Sequence, residues 1–433
     1  MRRALHDLHG VAATVAAVRR STLILAVLVG LLAFAAPASA SDRVKYGIQD
    51  DAWLLYGVGT VDERVATLDE LGVDLVRFTI DWSQVERVRG QYDWGRVDPV
   101  LNALRARGIR AVVTLYGTPR WANGGRSPNW APTSASTFAN FAAVAAKRYS
   151  WVKDWLIWNE PNQRRWLRPT TPRTYVTKLL NPAYASIKKA SGGTRIGGGV
   201  TAPRGSYGGV SPVAWIRGMR AAGARLDAYA HHPYPLTRQE TPWTGGCGHC
   251  ETITMATLER LLREVRTAWG GGKRVWLTEY GYQTNPPDRL LGVSLANQAR
   301  FVGEAAWRAF KAPNVDMLVQ YLYRDEPQLD RWQSGLMTSG GSAKPSRRAF
   351  MLPAAQAYRL GLTTAVWGHV RPGKGRQWYV LQQFRQGRWH TVNGAYRTTP
   401  NGYFYRYVRA GKGSKLRVMH TPTRTYSPIL VVR

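Results

Sequence analysis

Short, nearly continuous apolar runs recur eight times along the chain, at 44–49, 74–80, 110–116, 152–158, 194–200, 226–231, 274–278 and 315–321. Runs of this length that are apolar on both faces read as buried parallel strands. Stretches in which apolar residues return every three or four positions follow them, at 61–71, 97–107, 137–149, 172–190, 253–269 and 294–310, and a last one at 345–358. Strand and helix in alternation predict a closed (β/α)₈ barrel. Beyond Leu362 the period shortens to two, in runs at 377–384, 388–392, 403–408, 416–420 and 429–432 separated by Gly, Pro, Asn and Lys. That texture predicts a small all-β sandwich, immunoglobulin-like in size. The expected division is 1–40, 41–361 and 362–433.

The first segment is set apart by its own pattern. Arginines at 2, 3, 19 and 20 precede an apolar run at 22–36, and Ala38-Ser39-Ala40 resembles a cleavage site. This predicts a secretory signal and a mature chain beginning at Ser41. The apolar run is shorter than the roughly 20 residues of a spanning helix, so stable membrane insertion is not expected. A secreted, extracellular protein is expected, with association to the cell envelope left open.

Charge changes the picture next. Sixty Lys and Arg against 27 Asp and Glu give a net charge of +33, and residues 362–433 hold 13 basic residues and no acid. Attraction to an anionic polymer or surface follows, and so does the plainer reading of an arginine-rich composition. Nucleic acid is the first rival partner, yet the sequence has no zinc-finger spacing and no basic low-complexity arm. The two cysteines, Cys247 and Cys250, lie in Thr-Gly-Gly-Cys-Gly-His-Cys-Glu. In a secreted chain they read as a small disulfide; a zinc site would need further ligands that no paired motif supplies, and no metal or other cofactor is expected.

Two of the predicted strands end in carboxylates. Trp155-Leu156-Ile157-Trp158 breaks into Asn159-Glu160-Pro161-Asn162, and Arg274-Val275-Trp276-Leu277-Thr278 runs into Glu279-Tyr280-Gly281. Barrel enzymes carry their chemistry at the carboxyl ends of the strands, here the fourth and seventh. Two such acids are what glycosidic bond cleavage needs: one protonates the leaving oxygen while the other meets the developing positive carbon.

These two motifs resemble the paired signatures of retaining glycoside hydrolases of the Asn-Glu-Pro clan, with family 39 and related endo-acting glycanases the most similar. The resemblance spans about 44–360. It implies that Glu160 is the general acid/base, Glu279 the nucleophile, and Asn159 the holder of the neighbouring sugar hydroxyl. Arg77 resembles the second-strand arginine that keeps the nucleophile ionised, and His232 with Tyr234 the His-x-Tyr pair of the sixth strand. Tyr321 and Tyr323 depart from the tryptophan frequent at the eighth strand.

Other readings stay beside these. Glu160 as a helix cap, Glu279 as a buried ion-pair acid and Arg77 as its structural partner are alternatives. His231 reads as a core histidine, and Asp50 and Asp51 as a turn or a substrate contact. Trp82, Trp121 and Trp166 are either barrel packing or sugar-stacking faces, and Tyr323 is a candidate platform. Trp378, Trp389, Tyr403 and Tyr405 are either sandwich core or part of an anionic glycan surface. The expectation is a monomeric, retaining β-glycosidase acting within a polysaccharide; the rival is a barrel that binds an envelope glycan without turning it over.

Overall fold

The computed structural model describes residues 44–433, so the signal read at 1–40 lies outside the described residues. The apolar runs form eight parallel strands: β1 (Lys45–Gln49), β2 (Leu75–Asp81), β3 (Arg110–Tyr116), β4 (Asp154–Ile157), β5 (Arg195–Thr201), β6 (Ala228–His231), β7 (Arg274–Tyr280) and β8 (Val315–Tyr321). They pair in chain order and the ring shuts where Gly47 lies opposite both Leu75 and Val319. Side chains drawn only from the strands, including Leu75, Val112, Leu156, Trp276 and Met317, fill the interior as a buried cluster. Room for the Trp276 indole comes from Gly197, where a Cβ would sit 2.6 Å from Leu156 and 2.7 Å from the indole. Bulky and absent side chains thus interleave across the barrel axis.

The amino-terminal mouth is closed by charge. Asp154 pairs with Arg110 and Arg195, and Asp316 pairs with Arg195 at 3.0 Å and with Arg274, so acids and arginines alternate across β3, β4, β5, β8 and β7. The Trp276 indole N–H donates to Asp316 at 3.1 Å, tying this network to the interior packing. Helices cover the outside, among them Val61–Glu70, Asp98–Ala106, Ala135–Arg148, Leu258–Trp269 and Leu295–Lys311. Helix Pro212–Ala221 was not anticipated, although Ser211 caps it and proline opens it. Among the described residues no helix is long and apolar enough to cross a membrane.

The last predicted helix is shorter than expected. It ends at Met351, and Ala354–Leu360 forms strand β9, paired antiparallel with β10 (Thr363–His369). Pro353 cannot continue the helix, and pairing with β10 overrides the helical preference of Ala354-Ala355-Gln356-Ala357. The sheets therefore begin before the expected junction near Gly361, which lies in the β9–β10 turn. Strands β11 (Trp378–Arg385), β12 (Arg388–Arg397), β13 (Tyr403–Arg409), β14 (Lys415–His420), β15 (Thr425–Tyr426) and β16 (Leu430–Val431) complete two antiparallel sheets. Val366, Phe404 and Val408 from one meet Tyr379, Leu381 and Val418 from the other in a common core.

The sheet β13-β10-β9 turns its other face to the barrel. Residues alternate sides along a strand, so Trp367 and Tyr403 point opposite to Val366 and Phe404. They reach Trp307 and Phe310 of helix Leu295–Lys311, with ring centroids 5.3 Å and 4.7 Å apart respectively. The Tyr403 hydroxyl donates to the Val44 carbonyl at 3.0 Å.

Candidate active site

The chain leaves β4 through a turn that ordinary backbone does not favour. Trp158 and Glu160 both have positive φ, 71° and 37°, a conformation costing a non-glycine residue on the order of 1 to 3 kcal/mol. Trp158 is held there by its backbone N–H to the Leu115 carbonyl (2.8 Å) and its indole N–H to the Trp166 carbonyl (2.7 Å). Buried Asn162 braces the turn from the other side, accepting from the Ala202 N–H at 2.9 Å and donating to the Val210 carbonyl at 3.0 Å. The result aims Asn159 and Glu160 into the carboxyl-terminal mouth.

Arg77, fully buried on β2, is the centre of the site. It donates to Glu279 Oε1 at 2.5 Å, to Gln49 Oε1 at 2.6 Å, to Thr114 Oγ1 at 3.0 Å and to Asn159 Oδ1 at 2.8 Å. Because Asn159 accepts through its oxygen, its amide N–H₂ is left to face a ligand. The second Glu279 oxygen accepts from the Tyr234 hydroxyl at 3.1 Å.

His232 bridges the two acids. Its Nε2 lies 3.3 Å from the Arg77 guanidinium, which can only donate, so the ring proton sits on Nδ1 and points at Glu160 Oε1, 3.0 Å away. Burial pushes the histidine down to about 3, with Arg77 acting in the same direction and Glu279 opposing, so the ring is neutral. Glu160 is raised to about 7 by burial, against the pull of Arg77, the Trp166 indole N–H and Arg165. One oxygen of each glutamate and a nitrogen of His232 lie within 4.8 Å of one another.

That trio has the spacing of a metal-binding group, yet Arg77 already supplies positive charge and His232 presents a proton rather than a lone pair to Glu160. Cys247, His249 and Cys250 also cluster, but the two sulfurs are joined in a disulfide.

Residues 49–308 match the family model described as cellulase, glycosyl hydrolase family 5. The chain belongs to that family. This glycoside hydrolase is also similar in fold to a family 39 glycoside hydrolase from Bacteroides cellulosilyticus, at 18% identity and a TM-score of 0.62 over 85% of this chain and 80% of the other. A monomeric beta-xylosidase from Caulobacter crescentus gives a TM-score of 0.55 at 16% identity, covering 87% and 95%. A glucosidase from Croceicoccus marinus gives 0.58 at 12% identity, covering 88% and 96%. At these identities the likeness is one of fold. Beta-glucosidase 40 of Arabidopsis thaliana is 32% identical over 111 residues, 23% of this chain and only 21% of that protein.

Glu160, Glu279, Asn159, Arg77, His232 and Tyr234 therefore converge on one point of the family 5 barrel, and Trp166 lies half-buried beside Glu160 and Tyr116. Three other candidates do not join them. Trp82 is fully buried in the helix layer, stacked on Phe141 at 5.4 Å, with its indole N–H on Glu86. Trp121 packs edge-on against Trp82 and donates to the Glu86 carbonyl. Tyr323 is buried against Trp53 at 4.2 Å, outside the cleft, since it lies past the end of β8 where the strand's alternation no longer sets its direction. Tyr321 takes the inward direction instead.

Beside it stands a ring that sequence reading missed. Trp332, from the loop after β8, lies 4.8 Å from Tyr234 and 5.5 Å edge-on from Tyr321, forming an aromatic wall near Glu279. Gln49 and Thr114, both bonded to Arg77, were also missed, and only their places near inward strand ends hint at a role. His231 is a core residue, bonded to Thr201 and the Ile253 carbonyl. Asp50 caps helix Asp51–Tyr56 and accepts from the Arg324 N–H.

Proposed function

We propose that this glycoside hydrolase cleaves β-glycosidic bonds with retention of configuration, Glu160 serving as acid/base and Glu279 as nucleophile. The observation that carries the reading is the pairing of two close carboxyls in opposed surroundings. A separation of about 5 to 5.5 Å between carboxyl groups suits a covalent intermediate, whereas about 6.5 to 9.5 Å leaves room for an inverting water. Glu160 and Glu279 approach to within 4.8 Å through their nearest oxygens. Burial raises Glu160 to about 7, which keeps it a proton donor near neutrality, while both oxygens of Glu279 accept hydrogen bonds from Arg77 and Tyr234.

In the first step a Glu279 oxygen forms a bond to the anomeric carbon as the glycosidic C–O bond breaks, and the Glu160 proton goes to the departing oxygen. In the second, Glu160 takes a proton from water, whose oxygen displaces Glu279 and restores the original configuration. The Asn159 amide is oriented to hold the hydroxyl beside the reacting carbon. Aromatic faces at Trp166 and Trp332 extend the mouth to either side of the acids and favour a polymer cut within its length. Secretion belongs to the same proposal and rests on the leader-like sequence pattern at 1–40.

Glu279→Gln is expected to lower turnover by about a thousandfold or more with thermal unfolding unchanged in cooperativity. Proton NMR of freshly released sugar should show the β-anomer first. Early appearance of the α-anomer, or undiminished turnover in the variant, would remove the mechanism.

A further inference from the structure

The carboxyl-terminal mouth of the barrel is electrically lopsided. In the loops after β6, β7 and β8, at 232–254, 281–294 and 322–344, six acids offset five basic residues. The loops after β3, β4 and β5, at 117–134, 158–171 and 202–211, carry six arginines and no acid apart from Glu160 itself. Arg120, Arg126, Arg164, Arg165 and Arg204 are exposed and Arg168 is half-buried. Ion pairs elsewhere engage arginines such as Arg107, Arg148 and Arg217, but among the described residues none of these six has an acidic partner.

The three loops are sewn into one surface. Arg168 donates its N–H to the Asn129 carbonyl at 2.8 Å, its carbonyl accepts from the Ala131 N–H at 2.9 Å, and the Asn129 amide donates to the Arg165 carbonyl at 3.0 Å. Asn162 and Gln163 then bind the third loop, through the Val210 N–H to the Asn162 carbonyl at 2.8 Å and the Ser206 N–H to Gln163 Oε1 at 3.2 Å. Two guanidiniums sit over indoles, Arg126 over Trp130 at 4.3 Å and Arg165 over Trp166 at 5.2 Å from the ring centroids. Such contact holds the planar donors in place without using up their N–H groups, which stay available to a carboxylate or sulfate. Arg165 is near enough to Glu160 to act on its proton affinity, so the surface starts at the acid/base and runs away from it.

We infer that the substrate is a polyanionic β-glycan whose charged sugars lie over the β3–β5 rim, on the side of the acid/base. This rests on the proposed glycosidase reading and names the substrate class of that site. A sugar bearing a carboxylate or sulfate would meet bidentate donors there, while a neutral sugar would leave six like charges uncompensated.

The test uses three oligosaccharides of equal length: a β-linked glucuronan, its carboxyl-reduced β-glucan, and that glucan sulfated. Binding is measured by calorimetry on the full chain and on Arg126→Glu/Arg164→Glu, with melting temperatures checked. Wild type should prefer one of the charged ligands by about tenfold or more, weakening with salt, and the double variant should lose most of that preference. Preference for the glucuronan identifies carboxylates and preference for the sulfated glucan identifies sulfate esters. Equal affinity for charged and neutral oligosaccharides, or a preference untouched in the double variant, would overturn the inference. If a neutral glucan is hydrolysed, Glu279→Gln abolishes that activity and charge confers no preference, the rim proposal falls and the glycosidase stands. Charge-selective binding with turnover indifferent to Glu279→Gln gives the reverse.

Discussion

Glu160 and Glu279 carry the same side chain and sit under one histidine, yet only Glu279 has a strong donor on each oxygen. The difference has a pH signature. With its pKa raised from 4.5 to about 7, Glu160 binds its proton more tightly in the folded chain than in the unfolded one. Its contribution to stability is therefore fully present below about pH 4.5 and is lost as pH rises toward 7. Glu160→Gln is expected to exceed wild type in unfolding free energy by roughly 3 kcal/mol at pH 8, and to match it near pH 4, as read by urea titration. In wild type kcat/KM should decline above about pH 7 as the acid form disappears. A profile flat to pH 9 would show that another group donates the proton.

At the level of elements, the strands and the two acids were legible because a fully buried strand has a continuous apolar signature and a glutamate at its end breaks that signature abruptly. Direction was not legible. Trp82 and Tyr323 stand just past strand ends, where the alternation that decides inward from outward has already lapsed, and both turned toward the helices. Trp332 comes from a long loop whose path depends on tertiary bonds such as Gln298 and Gln320 donating to the Ser334 carbonyl at 3.2 Å and 2.8 Å. Nothing local encodes that path. The interior offers a sharper test: Gly197→Val would drive a branched side chain into the Trp276 ring and Leu156. Overpacking of this kind costs about 1 to 3 kcal/mol and at times more. Calorimetry should register a lower melting temperature, and an unchanged one would mean that the indole has space to move.

For the whole molecule, the carboxyl-terminal sheets act as the outer wall for part of the barrel. Arg371 lies with its guanidinium 4.1 Å from the Tyr46 ring and 4.2 Å from Phe350, and Trp367 covers Trp307. A chain ended after Leu352 uncovers Tyr46, Trp307 and Phe310 at once, at roughly 2 kcal/mol for each large side chain. Such a fragment is expected to be largely insoluble and to bind a hydrophobic dye; a soluble, active fragment would make the sheets an independent module. The basic character of 362–433 thus coexists with a supporting role: Tyr403 is spent on the barrel, while Trp378 remains exposed beneath Arg397.

Arg77 stands on the second staple of the ring but holds groups contributed by the first, third, fourth, sixth and seventh. Such a side chain has no foothold in a half-made cylinder, since most of the atoms it grips arrive from distant parts of the chain. Hemispheres expressed separately should consequently be inert, and catalytic competence should return only on their reunion, all at once.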